Sequence, residues 1–339
     1  MAFESVKTAW GRCMKFIELK PIKETTVDYE AIEREIIDLL RREIYLPILQ
    51  SLRMPKQTVR NDKDELLDAI RLGRIVYGDG AFSGSFNASI SRGLKQIGAT
   101  WDRKRQAWRI SDRSIPTDIK SAVALGESRF KRRVSQASRQ LSEMDPSEIA
   151  SGLMVRKNFD SVIGKVDSEF RSSIQGITLA PKLSEESKKR ISAEWSKNMQ
   201  LFVQDFTKKE ILELREKISE HAMKGNRYES VVKTIQDSFG VTQRKAKFLA
   251  RQETMLMTTK LKQIRYEDAG VDYYKWVCVA GSSNHPVRPT HKALGDRSKR
   301  GELFRWDDPP LLAEDGQYKN PGQDYNCRCY AVPVVMKKR

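Results

Sequence analysis

The sequence predicts an α+β protein that is mainly helical. It has a small α+β module near the N-terminus, a middle region of long helices and a loop-rich α+β C-terminal domain. Three observations point there. Long stretches repeat apolar residues at helical spacing. Between positions 75 and 110, short β-branched and aromatic runs are closed by glycine turns. In the last hundred residues, two strand-like runs flank a polar segment rich in Gly, Pro and Asp. At 339 residues, two or three domains are expected, and the pattern changes place them at 1–115, 116–240 and 241–339.

In chain order, residues 26–46 form the first amphipathic stretch. Thr26 or Asp28 caps it, Ile32, Ile36, Leu39, Leu40 and Ile44 make its apolar face, and Pro47 is expected to end it. Asn61 can cap a second helix carrying Leu66, Leu67 and Ile70, with Gly73 as its stop. Ile75-Val76-Tyr77 reads as a strand before the Gly78-Asp79-Gly80 turn. Asn87–Ile97 reads as a helix ended by Gly98, and Thr100-Trp101 with Ala107–Ile110 as a hairpin with a basic tip. Gly78, Gly80 and Gly84 lack dinucleotide-fingerprint spacing, so they read as turn glycines.

From Pro116 the pattern is helical. Thr117 caps a helix to about Met144, and Asp145-Pro146 starts another with Pro at its first position. Gly176 and Pro181 mark a break. Ser184 with Glu185 and Glu186 opens a long helix, acids at its positive end. Its apolar stripe is Ile191, Trp195, Met199, Phe202 and Phe206, read as core packing. Gly240-Val241-Thr242 is expected to begin the last region, with Thr242 capping a helix whose stripe is Leu249, Ala250, Leu256, Met257, Leu261 and Ile264. Val271–Ala280 and Tyr330–Val335 read as strands.

The net charge is +17, which attracts polyanions and favours a position near nucleic acid, read without base specificity. The bland alternative is a solvated basic surface. The densest basic stretch holds Arg129, Lys131, Arg132 and Arg133, with Arg139 further on, and Lys337-Lys338-Arg339 closes the chain. No apolar run reaches the roughly 18 residues a membrane span needs. Lys7, Arg12, Lys15 and Lys20 interrupt the opening residues, so no signal peptide is expected. Few cysteines without an export signal suggest a reducing compartment.

The chain has three His and four Cys, and two of the His and three of the Cys fall between positions 278 and 329. Cys327 and Cys329 can chelate a thiophilic ion, a structural zinc, with His291 and either His285 or Cys278 completing a tetrahedron. Alternatively the thiols are small buried hydrophobes, because Cys-x-Cys is tighter than the usual Cys-x₂₋₄-Cys spacing. Arg251 and Glu253 point to different helix faces. Glu253 is expected to accept from Arg288 or Arg328, and Arg251 to bond backbone carbonyls or Asp324. No HExxH, Gly-x-Ser-x-Gly or P-loop is present. An enzymatic reading would use Glu253 and His291 as acid and base.

Four features in this order carry a resemblance: Ala250-Arg251-Gln252-Glu253 on a helix, Ala269-Gly270-Val271 before a Trp276 strand, Arg288-Pro289-Thr290-His291, and Pro321-Gly322 followed by Asn326-Cys327-Arg328-Cys329. The segment from about 225 to 335 resembles the phage head morphogenesis family, the minor head proteins similar to protein F of phage Mu. Gln252 stands where that family has Thr, and Asn284 and Pro286 where it usually has Asp and Arg. The resemblance implies a low-copy head (capsid) protein at the portal vertex, present in the virion and made in the host cytoplasm. Its expected partners are the portal protein, the major capsid or scaffolding protein and non-specific double-stranded DNA, and its expected role is head assembly with genome packaging or ejection. In this setting Arg251, Glu253, Arg288, His291, Asp324, Asn326 and Arg328 form a structural polar cluster. Competing readings are a metal-dependent hydrolase or toxin-like transferase carried in the virion, and a free DNA-binding protein.

Overall fold

A computed structural model describes residues 4–7, 13–22, 27–52, 62–177, 181–223, 228–279, 286–314 and 316–336. The elements are β1 (Glu4–Lys7), β2 (Cys13–Glu18), α1 (Val27–Leu40), a π-helical turn (Arg41–Tyr45), α2 (Leu46–Leu52), α3 (Asp62–Arg71), β3 (Ile75–Gly78), β4 (Ala81–Gly84) and α4 (Ala88–Gln96). Then come β5 (Thr100–Asp102), β6 (Ala107–Arg109), α5 (Thr117–Glu143), α6 (Pro146–Ser151), α7 (Arg156–Ile174), α8 (Glu185–Met223) and α9 (Tyr228–Asp268). The C-terminal part adds β7 (Tyr273–Val277), α10 (Pro289–Lys299), β8 (Phe304–Arg305), β9 (Leu311–Leu312), β10 (Gln317–Tyr318) and β11 (Tyr330–Met336). With 64% of residues helical and the strands in small sheets, the class is mainly helical α+β.

The chain packs into two compact units, each assembled from separate stretches. One holds residues 1–36, 154–200 and 246–339, the other 37–153 and 201–245. These differ from three consecutive segments cut at 115 and 240. Strand pairing shows why local pattern could not record this. In the first unit an antiparallel sheet runs β1-β2-β11-β7-β8, so the N-terminal hairpin joins the C-terminal strands. Val334 pairs with Glu18 and Met336 with Phe16, and Leu19 N–H donates to Pro333 O at 2.9 Å. The sequence pattern gives no strand before residue 26. The core against this sheet includes Leu19, Phe170, Tyr266, Tyr274, Trp276, Phe304, Trp306, Cys327 and Cys329.

In the second unit a four-stranded antiparallel sheet, β3-β4-β6-β5, packs with α3, α4 and α5 around Leu66, Ile70, Phe82, Leu94, Trp108 and Ile119. The Asp79-Gly80 turn, both residues at positive φ, has the twist of a primed hairpin turn, which makes Ala81–Gly84 the partner strand of β3. Asn87 Oδ1 caps α4 by accepting from Ile90 N–H at 2.8 Å. The expected cap Asn61, like Thr26, lies outside the described residues.

Several helix expectations change. Pro47 does not end the first helix. Leu46 N–H bonds back to Arg41 O, the five-residue spacing of a π turn, and this wider turn carries the chain past the donor Pro47 lacks. Thr117 is the first residue inside α5, after Pro116. On α8 the buried seam is Trp195, Met199, Val203, Thr207, Glu210, Leu214 and Ile218, whereas Phe202 is 40% exposed.

Gly240 and Thr242 lie inside the 41-residue α9, so Thr242 is not a cap. Its buried hydroxyl bonds Tyr45 Oη at 2.6 Å and donates to Glu210, which also accepts from Lys245 Nζ at 2.6 Å. A buried threonine with two side-chain partners does not need the capping role. On the same helix Ile264 is exposed.

Candidate functional site

The stretch between β7 and β11, expected to be loop after the polar cluster, contains α10. Pro289 occupies its first turn, and Arg297 and Lys299 stand in its last, where their charges complement the helix dipole. Pro289 is the sequence signal for this helix start. Lys292 N–H closes the first turn on Arg288 O at 2.9 Å, and His291 points into the core, 2% exposed. Its ring meets Trp276 edge-on at 5.5 Å.

His291 Nδ1 faces two sulfurs, Cys327 Sγ at 3.5 Å and Cys329 Sγ at 3.5 Å. Cys329 Sγ in turn lies 3.5 Å from Cys278 Sγ, just past the end of β7. Cys278 Sγ also donates to His291 O at 3.0 Å. The Cys329 amide donates to Cys327 Sγ at 3.4 Å. Gly295 on α10 makes room, since a Cβ there would stand 3.1 Å from Cys278 Sγ. His285, the other imidazole considered for a tetrahedron, lies outside the described residues.

The far side of the imidazole is acidic. His291 Nε2 lies 3.2 Å from Asp324 Oδ2, a charge contact rather than a formed hydrogen bond. Asp324 is held by Arg288 Nη1 at 2.5 Å and Lys319 Nζ at 3.0 Å. Arg288 Nη2 also donates to Tyr325 O at 2.6 Å. Two cations thus partner one mostly buried carboxylate, as a buried charge requires.

The loop around Asp324 explains its own motif. Gly322 sits at φ +89, where a Cβ would meet Thr259 Oγ1 at 2.9 Å. Asn326 sits at φ 51, a conformation Asn tolerates better than most residues. Cys327 N–H closes the turn on Asp324 O at 3.1 Å. Gln252 Oε1 accepts from Asn326 N–H at 2.7 Å, and its Nε2 donates to Asp324 O at 3.4 Å. The residue that departs from the family's Thr is therefore a clamp on this loop. Asn320 is a second clamp, taking Tyr274 Oη–H at 2.8 Å and giving to Trp306 O at 3.2 Å.

Other expected partners do not form. Arg288 pairs with Asp324 rather than Glu253. Glu253 is half-buried and makes no hydrogen bond or ion pair among the described residues; burial alone raises its carboxyl pKa. Arg251 lies over the Tyr29 ring at 6.0 Å, and Arg328 is exposed. A helix turns its faces by about 100° per residue, so on α9 Gln252, rather than either charged neighbour, faces the loop.

The thiols are polarised by one another. The hydrogen bond from Cys329 is the main cause that lowers Cys327, to about 5, against burial, with His291 helping. Cys329 also lowers Cys278, to about 7, and is itself raised as the shared donor. Burial lowers His291, but the Cys327 bond and the charges of Cys327 and Asp324 outweigh it and raise it. Chemically this is a largely buried, sulfur-rich cluster with one imidazole. His291, Cys327 and Cys329 bring their ligand atoms within 4.8 Å of one another.

The basic residues of α5 lie in the other unit. Arg129, Lys131 and Arg132 are exposed and Arg133 is half-buried, while Arg139 pairs with Glu143 at 2.7 Å. Lys337–Arg339 lie outside the described residues. No helix among the described residues is long and apolar enough to cross a membrane.

An uncharacterized protein of Haemophilus influenzae is 29% identical over 113 residues, covering 33% of this chain and 22% of that protein. The match thus spans well under two thirds of the relative's length. No solved structure matches this chain. Residues 213–332 match the sequence model described as Phage Mu protein F like protein. This stretch contains Gln252, Cys278, Arg288, His291, Asp324, Cys327 and Cys329, the clamp, the thiols and the charged shell together, so the likeness to the Phage Mu protein F like family falls on the site itself.

Proposed function

We propose that the chain is a minor head protein of a tailed bacteriophage, acting at the portal vertex in head assembly and in genome packaging or ejection. The family match over 213–332 carries this reading. Arg288, Lys319, Gln252 and Asn320 support a structural role for that region, because their charged and amide groups are spent on holding a loop. The net charge of +17 suits a protein confined with packed DNA, where phosphate contacts need no base readout. Its partners would be the portal protein, the major capsid or scaffolding protein, and duplex DNA.

The test is mass spectrometry of purified procapsids and mature particles from a phage that encodes the chain, beside particles made without it. The expected result is a few copies per head, and heads of reduced infectivity when the chain is missing. Absence from procapsids and mature particles alike would overturn the proposal.

A further inference from the structure

We propose that Cys278, Cys327, Cys329 and His291 form a closed tetrahedral site for a structural zinc ion. The argument is geometric. Zinc sits about 2.3 Å from thiolate sulfur and about 2.0 Å from imidazole nitrogen, so a tetrahedral S–N edge is about 3.5 Å and an S–S edge about 3.8 Å. The two Cys–His291 Nδ1 separations are both 3.5 Å, and the Cys329–Cys278 separation is 3.5 Å. Three donors of the right type, His291, Cys327 and Cys329, therefore already stand with their ligand atoms within 4.8 Å of one another, and Cys278 stands beside them through its contact with Cys329. Sulfur and imidazole favour zinc over magnesium or calcium, which take oxygen.

The surroundings fit the same assignment. A ligating histidine commonly sets its second nitrogen against a carboxylate, and Asp324 stands at that nitrogen, fixed by Arg288 and Lys319. The amide of Cys329 on Cys327 Sγ supports a thiolate there. Three separate segments supply the ligands: the end of β7, the first turn of α10 and the approach to β11. An ion at this point would pin all three where the core needs them. Four protein ligands leave no open position, so the site is structural rather than hydrolytic. The inference stands on these side chains and not on the head reading, and a chain absent from virions would leave it intact.

The experiment uses the full chain, purified under reducing conditions without chelator. Elemental analysis is expected to give a single zinc per chain, released by a mercurial thiol reagent. Replacement by cobalt(II) should give thiolate charge-transfer bands and intense tetrahedral d–d bands. Those bands should weaken in Cys278→Ser and vanish in Cys327→Ser and Cys329→Ser. A folded wild-type chain that carries no zinc and gives no cobalt–thiolate band overturns the proposal, as does an unchanged spectrum in a folded Cys329→Ser. Should the cysteine variants not fold, the wild-type cobalt titration decides alone.

Discussion

Gly322 shows how a single backbone position holds the site together. Its φ of +89 is open to glycine, and the space where a side chain would go belongs to Thr259 Oγ1. Gly322→Ala is expected to destabilise the chain by about 1–3 kcal/mol through forced backbone strain, read as a lower urea midpoint for the transition of its unit. An unchanged midpoint would mean the loop relaxes freely, and that Gly322 does not fix Asp324. The site's rare residues are legible in the sequence: Cys278, His291, Cys327 and Cys329 stand out because the chain has so few of their types. Asp324 and Arg288 stand out too, but the sequence pairs them with the wrong partners. Gln252, Lys319 and Asn320 escape notice as site residues, because common polar residues carry no label until the fold brings them to a buried carbonyl or carboxylate.

Between elements, the most deeply buried ion pair among the described residues joins α7 to α9. Asp167 is 1% exposed and Arg265 5%, and Arg265 Nη2 meets Asp167 Oδ1 at 2.9 Å while also giving to Pro181 O at 2.6 Å. The guanidinium lies over Phe170 at 4.4 Å. Removing one partner strands a buried charge, so Asp167→Ala should cost about 3–5 kcal/mol. Asp167→Leu combined with Arg265→Met should recover most of that loss, because no buried guanidinium is left unpaired; Arg171, which also meets Asp167 at 3.4 Å, is 39% exposed and keeps water. Equal losses in the single and double variants would show that packing, not charge, is what the position supplies; urea unfolding of the wild type and the two variants measures this. Long helices are legible because their periodicity is local, down to the Ser184 cap whose Oγ accepts Ser187 N–H at 3.0 Å. The N-terminal hairpin is not, since β2 joins its sheet through β11, roughly three hundred residues further along the chain. Gly240 misleads for the opposite reason: glycine is a common helix stop, yet a helix with tertiary support tolerates it at about 1 kcal/mol.

At the scale of the whole molecule, charge is the property most open to test. Residues 128–142 carry five basic side chains and no acid, but the structure sorts them. Arg139 is engaged with Glu143 and Arg133 is half-buried, which leaves Arg129, Lys131 and Arg132 exposed on α5. If this face meets duplex DNA, each neutralised phosphate releases counterions and adds about 0.9 to the slope of log affinity against log salt. Arg129→Gln, Lys131→Gln and Arg132→Gln together should then lower the slope by about 0.9 for every phosphate left without its cation, equally on duplexes of unrelated sequence. Arg139→Gln alone should change it little, because that guanidinium already has a carboxylate. Fluorescence anisotropy at several salt concentrations gives the slopes directly. A triple variant with the wild-type slope would move the DNA-facing surface to basic residues elsewhere on the chain. Weakened binding confined to one duplex sequence would replace phosphate attraction with base readout.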